Sequence, residues 1–191
     1  MANSDLIFGA RYAGSLSQGT VSGKTNSYVS LAAYNVAMFV GDFVVGQGTA
    51  AVDEYGIYRP VVQQAAAANR LLGFVDNFEK SRTYENQIHR TAATLRSMQV
   101  YDTPDVLFEI QSSGTFAVEN VGLNANITVA SGSTVTGLSG MELDQSTVNT
   151  TATLQLQIIG IIPRTDNAVG ANTKLLCRIN YHGYTKETDG F

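Results

Sequence analysis

Apolar and polar side chains alternate most clearly in three segments of the second half of the chain. Over residues 105–111, 151–158 and 174–182, apolar side chains recur at every second position. A period of two places neighbouring side chains on opposite faces of a β-strand, so each segment is predicted to be a strand with one buried face. The side chains expected to face inward are Val106, Phe108, Ile110, Ala152, Leu154, Leu156, Ile158, Leu175, Cys177, Ile179 and Tyr181.

Two other segments are apolar on both faces. Short apolar runs at residues 36–40 and 43–45 are followed by Gly-Gln-Gly at residues 46–48, a pattern typical of buried strands and turns. Residues 158–162 are apolar on either side of Gly160, where a β-bulge or a second covering surface would explain the pattern. Both segments therefore predict surface that is covered by more than one layer.

The middle of the chain gives weaker patterns. Residues 52–58 and 71–78 are expected to be strands, whereas the alanine run within residues 60–72 is compatible with a short helix. Over residues 81–98, apolar residues recur at helical spacing and Ser81 fits a helix N-cap, but three threonines disfavour a helix. This last segment stays open between a helix and an extended chain.

The N-terminal region differs from the remainder in composition. Residues 9–30 are rich in Gly, Ser, Thr and Gln, which fits either a flexible tail or an arm that orders against a neighbour. Farther along, many short strands, turns rich in Gly and Asn, and few convincing helices predict a mainly all-β fold. We expect a jelly-roll-like β-sandwich or β-barrel over residues 31–191, preceded by an extended N-terminal arm over residues 1–30.

Charge and hydropathy argue against several classes of partner. Charged residues make up only 15% of the chain and the net charge is −4, whereas nucleic-acid binding usually requires a basic excess. No apolar run approaches the ~20 residues of a membrane span, and the start of the chain lacks a signal-peptide pattern. We therefore expect no direct nucleic-acid partner, no membrane partner, and synthesis in a cytoplasm.

Several near-motifs fail on spacing or context. Residues 19–25 approach a phosphate-binding loop, but three residues rather than four separate the glycines. Residues 46–51 resemble the start of a dinucleotide fingerprint, but no helix is expected to follow, so a hairpin turn is predicted there. His89 and His182 match no metal-binding pattern; His182 is expected at a surface or interface, and Cys177 in the core.

Three carboxylates lie close together in the sequence. Asp102, Asp105 and Glu109 offer the residue types of an acid–base pair. However, Asp102 and Asp105 flank Pro104, where aspartate is favoured because it hydrogen-bonds to the local backbone of a turn. We therefore expect no catalytic, cofactor-binding or metal-binding residue, and the chain is not expected to be an enzyme.

A set of segments in the second half carries a family resemblance. They are residues 101–111, 121–126, 136–144, 154–162, 166–167 and 178–182, with sequences such as Tyr-Asp-Thr-Pro-Asp-Val-Leu-Phe-Glu-Ile-Gln at the first. These segments resemble structural proteins of tailed-bacteriophage heads, and specifically the capsid cement (decoration) proteins. The resemblance spans roughly residues 70 to 191, and its motifs are structural rather than catalytic.

The resemblance implies a β-barrel or jelly-roll protein bound to the outside of the head. Its partner would be the major capsid protein, at sites where neighbouring capsomers meet, and its location would be the outer surface of the virion. It also implies a homo-oligomer, with a trimer favoured over a dimer because capsids offer threefold positions. An extended conformation of residues 81–98 is favoured on the same grounds.

Two other functions remain as alternatives. A carbohydrate- or receptor-binding β-module of a phage tail would suit an all-β fold, although the chain has no tryptophan for a sugar platform. A hydrolase is the third alternative, because a fold alone never excludes an active site.

Overall fold

The computed structural model describes residues 3–17 and 25–185. Within these ranges the chain forms strands and two short 3-10 helices but no α-helix, so the all-β prediction is confirmed. The strands are β1 (Arg11–Ser15), β2 (Asn26–Ser30), β3 (Phe43–Val52), β4 (Tyr58–Gln64), β5 (Gly73–Phe78), β6 (Arg96–Tyr101), β7 (Val106–Gln111), β8 (Asn124–Ala125), β9 (Ile127–Thr128), β10 (Glu142–Leu143), β11 (Leu156–Ile161) and β12 (Lys174–Ile179), and the 3-10 helices are Val118–Asn120 and Gln145–Thr147.

Five strands form a closed barrel. Their order is β2-β4-β3-β5-β6, and β6 pairs with β2 to complete the circuit. Neighbouring strands are antiparallel except β2 and β4, which run parallel and pair at Val29 and Val61. Because the interior of a small barrel is filled by inward side chains, it holds its own apolar cluster, formed by Tyr28, Met38, Val44, Val62, Leu72, Val75, Met98 and Val100.

A second, five-stranded antiparallel sheet has the order β1-β7-β12-β11-β8, and β9 pairs separately with β10. The inward apolar side chains predicted for β7 and β12 are buried, apart from Tyr181, which is half-buried. Phe108 on β7 packs edge-on against Phe43 and Phe74 of the barrel, with both ring centroids 5.3 Å away. Such edge-to-face contacts are favoured between aromatic rings, so the sheet and the barrel share one core.

The boundaries of the first hairpin differ from the prediction. The turn expected at residues 46–51 lies inside β3, and the strand expected at residues 52–58 is instead mostly the turn between β3 and β4. Asp53 causes this turn, because its carboxylate accepts the backbone amides of Tyr55 and Ile57. The helix considered within residues 60–72 is absent, since β4 occupies its first part and turns follow.

Residues 81–95 form turns rather than a helix. Ser81 behaves like an N-cap, because its Oγ accepts the amides of Thr83 and Tyr84, but no helix follows. The buried Arg96 guanidinium donates to the carbonyls of Tyr84 and Gln87 at 3.1 and 3.0 Å. The Tyr84 carbonyl also accepts the Gln87 amide, which closes a single turn, and the Arg96 side chain occupies both carbonyls, so the helical spacing does not produce a helix.

Farther along, the strand predicted over residues 151–158 begins only at Leu156. Ala152, expected inward, is exposed in the preceding turn. Of the two explanations considered for the apolar residues around Gly160, the β-bulge is present, because the register between β11 and β12 shifts between Ile158 and Gly160.

The region predicted as an N-terminal arm contributes three pieces to the fold. Residues 3–10, here called the N-terminal strap, are followed by β1 in the sheet and β2 in the barrel, so barrel strands begin before residue 31. Asn3 in the strap donates to the carbonyls of Ala168 and Ala171, and Lys174 Nζ donates to the Ser4 carbonyl at 2.7 Å. Residues 1–2 and 18–24 lie outside the described residues, and with them most of the glycine-rich segment at residues 19–25.

Candidate interaction surface

The three clustered carboxylates of the sequence engage separate partners. Asp102 is buried and accepts the Tyr28 hydroxyl at 2.6 Å and the Asn26 amide at 2.9 and 3.0 Å. Glu109 pairs with Arg164 at 2.7 Å, and Asp105 is exposed. Asp102, directly after β6, therefore binds side chains of the neighbouring strand β2 instead of stabilising a local turn.

The histidines and the cysteine have structural surroundings. His182 is buried, contrary to the surface or interface position expected, and its Nδ1 accepts the Tyr184 amide at 3.0 Å. Burial lowers the pKa of His182 to about 4, so the imidazole is neutral at pH 7. His89 stacks on Phe39 with ring centroids 5.0 Å apart, and Cys177 is a fully buried core residue, as predicted.

Among residues 3–17 and 25–185, no group of three or more His, Cys, Asp or Glu side chains is placed to hold a metal ion. In the same part of the chain, no helix has the length and apolar character of a membrane span. The candidate site is a surface on the hairpin of β3 and β4.

The hairpin turn is built around one buried carboxylate. Asp53 Oδ1 accepts the amides of Tyr55 and Ile57 at 2.8 and 2.9 Å, and Oδ2 accepts Arg59 Nε at 2.6 Å. Burial alone would raise the pKa of Asp53, but the donors of Ile57 and Arg59 outweigh burial and lower it. Gly56 completes the turn with a φ of +83°, a conformation that favours glycine.

The turn is fastened to the segment that follows β5. Arg59 reaches beyond Asp53 to Glu79, with Nη1 and Oε1 2.9 Å apart. The Tyr55 hydroxyl donates to the Lys80 carbonyl at 2.6 Å. Ser81 and Arg82 add two donors to the Glu54 carboxylate, each at 3.0 Å. Because these contacts tie the turn to the barrel wall, the hairpin tip is held in one geometry.

This rigid tip presents apolar side chains to solvent. The exposed fractions are 42% for Val52, 52% for Ile57 and 78% for Tyr58. Val52 pairs with Tyr58, and Ala50 pairs with Pro60 two residues farther along. Directly paired residues, and residues two apart on a strand, share one face of a sheet. The side chains of Ala50, Val52, Tyr58 and Pro60 therefore form a continuous exposed strip, here called the hairpin face.

The hairpin face has the properties of a protein contact. Exposed apolar clusters on soluble proteins commonly mark interaction sites, and tyrosine is enriched among residues that dominate binding energy. A surface that is already rigid loses little conformational entropy on binding. Sequence reasoning missed this site because residues 52–58 were interpreted as a strand; the spacing of Asp53 and Gly56 was the available turn signal.

Comparisons with protein-family models, curated proteins and solved structures found no match for this chain.

Proposed function

We propose that this chain is a structural virion protein that binds the outside of a tailed-phage head and stabilises contacts between major capsid protein subunits. The observation that carries the proposal is the rigid hairpin tip with its exposed face of Ala50, Val52, Tyr58 and Pro60. The resemblance of the second half to capsid cement proteins supports the same assignment. No reaction is part of this function.

The physical role is additional buried surface at junctions between capsid subunits. Apolar area removed from water stabilises an assembly by ~25 cal/mol per Å² before the costs of association. A protein that binds the expanded shell in preference to its precursor shifts the equilibrium towards the expanded form. A homo-oligomer, with a trimer favoured, would present several hairpin faces at once and gain avidity from multivalent attachment.

The direct test uses expanded heads that lack this protein. Purified wild-type chain should co-sediment with them and raise their resistance to heat. The variant Tyr58→Ser should weaken binding about 10-fold or more, because hot-spot tyrosines contribute at least that much. Val135→Ser is the matched control, since Val135 is 86% exposed and lies in a turn outside the strands of the hairpin.

Two results would refute the proposal in different ways. If the wild-type chain neither binds the heads nor protects them, the capsid function is wrong. If Tyr58→Ser and Val135→Ser bind like the wild type, the hairpin face is not the contact.

The exposed ring of Tyr58 also supports a second candidate, a tail-associated carbohydrate- or receptor-binding β-module. An open aromatic ring can stack on a sugar, and this ring is 78% exposed. Mass analysis of separated heads and tails distinguishes the two functions, because a cement protein is recovered with heads and a receptor-binding module with tails.

A further inference from the structure

A cavity of about 380 Å³ opens beside the hairpin face. Its walls include Tyr28, Ala50, Pro60, Val61, Leu72 and Tyr184. A volume of this size is within the range of sites that bind small organic groups. Ala50 and Pro60 belong both to the cavity and to the hairpin face, so the cavity continues the proposed contact surface towards the barrel.

The described residues that line the cavity carry no charge. The Tyr28 hydroxyl donates to buried Asp102 at 2.6 Å and lies 3.0 Å from the Tyr184 hydroxyl. Burial and the hydrogen bond to Asp102 raise the pKa of Tyr28, so this phenol stays neutral. A neutral, mainly apolar wall favours an uncharged apolar group and disfavours an ion, which would lose its hydration there.

The strand beside the cavity has positions without one-to-one partners on β4. In the register of β3 with β4, Gly46 pairs with Val62 and the next pair is Ala50 with Pro60. Three residues of β3, at positions 47–49, therefore stand opposite Val61 alone. A β-bulge leaves its extra residues without partners in the ladder, and main-chain groups of this kind are what an extended segment binds in β-augmentation.

We propose that this cavity receives an apolar side chain of the major capsid protein, carried on an extended segment that lies along residues 47–49. The inference rests on the proposed function and adds the anchoring site to it. It commits to the capsid subunit because the cavity and the hairpin face share Ala50 and Pro60, so one partner covers both.

The test places a bulky side chain in the cavity by substituting exposed wall residues and leaving the core residues unchanged. Ala50→Trp and Thr49→Trp alter exposed wall residues, and each should lower affinity for expanded heads about 10-fold or more while leaving the unfolding temperature unchanged. Two positions are used so that misfolding of one variant does not end the test. Ala152→Trp is the matched control at an exposed position outside the cavity, and it should bind like the wild type.

A crosslink identifies the occupant. Cys177 is the sole cysteine and is fully buried, so Thr49→Cys creates one accessible thiol. With a thiol-reactive photo-crosslinker attached there, irradiation of decorated heads should join the chain to the major capsid protein.

The outcomes separate the two proposals. If wild-type chain binds heads and both tryptophan variants bind equally well, the cavity inference is wrong while the capsid function stands. If the crosslink instead joins two copies of this chain, and the tryptophan variants change its solution mass, the occupant is a second copy and the inference is overturned. If the wild type does not bind heads at all, the proposed function itself fails.

Discussion

Asp53 accepts Arg59 Nε at 2.6 Å through a side chain that has no exposure to solvent. The same carboxylate also holds the amides of Tyr55 and Ile57. Asp53→Ala would leave these donors without their acceptor and Arg59 with Glu79 as its remaining carboxylate. We expect it to lower the free energy of unfolding by about 3 kcal/mol, as for other buried pairs that lose one member. Urea denaturation measures this change.

The control for this variant is Asp105→Ala, which removes an exposed carboxylate. It should change stability by less than about 0.5 kcal/mol. Equal effects of the two substitutions would show that Asp53 does not organise the turn.

Arg90 is a fully buried cation whose hydrogen bonds go to backbone carbonyls. It donates to Leu31 and Tyr34 at 2.8 Å each, to Thr94 at 3.0 Å, and to Val36. Arg90→Met keeps much of the volume but leaves the carbonyls of Val36 and Thr94 without a hydrogen-bond donor, at about 1–3 kcal/mol each, whereas the carbonyls of Leu31 and Tyr34 still accept backbone amides. We therefore expect a loss of about 2–6 kcal/mol in thermal or urea unfolding.

Arg90→Lys separates charge from geometry. Lysine keeps the charge but not the planar fork, so it should recover only a small part of the lost stability. Lys80→Met, at an exposed position, is the neutral reference. Full recovery by lysine would contradict the assignment of stability to the guanidinium geometry.

The sequence pattern predicted several of the strands of this fold, but it did not predict the turns that are held by buried polar side chains. Strands such as β7 and β12 were predictable, because burial of one face imposes a period of two directly on Val106, Phe108 and Ile110. The turns of residues 81–95 were not predictable, because the guanidinium groups of Arg90 and Arg96 bind carbonyls that only the tertiary fold brings within reach.

The burial of polar residues in the sheet also depends on tertiary contacts that the local sequence pattern does not show. Gln111 lies on the face predicted to be polar, yet it is buried because the N-terminal strap covers it. Its amide donates to Asp5 and Glu142 at 2.7 and 2.6 Å, and its oxygen accepts the Leu6 amide. The hairpin face was missed for a related reason, because a local sequence pattern does not show that Val52 and Tyr58 are exposed to solvent.

Gly41 tests how the strap is held. Its φ is +89°, and a Cβ there would lie 2.7 Å from the Phe8 carbonyl oxygen and 2.9 Å from that of Ala10. Gly41→Ala should therefore destabilise by more than the ~1 kcal/mol of the left-handed conformation alone, and should increase proteolysis of the strap. Gly56→Ala is the matched control, with φ +83° and no atom near its Cβ, and it should cost only about 1 kcal/mol. Equal losses would mean that the strap does not pack closely on Gly41.

Asp42 and His182 give opposite pH dependences. Burial of Asp42 raises its pKa from 3.8 to about 6, although the hydrogen bonds that its Oδ2 accepts from the Phe39 amide and the Gln64 side chain oppose this. The stabilisation that comes from the raised pKa of Asp42 is therefore fully present below pH 3.8 and is lost as the pH rises through 6. His182 is the reverse: burial lowers its pKa from 6.5 to about 4, so its contribution is present above pH 6.5 and is lost as the pH falls through 4.

Each shift corresponds to about 3 kcal/mol, so the two effects nearly cancel in the wild type between pH 4 and 6.5. Removing either group should reveal the pH dependence of stability that the other group causes. Asp42→Asn should become more stable as the pH rises across this window, whereas His182→Gln should become less stable, both measured by urea unfolding at several pH values. The difference from wild type at each pH removes the contribution of all other titrating groups. Parallel pH profiles of the two variants would show that neither group is linked to folding in this way.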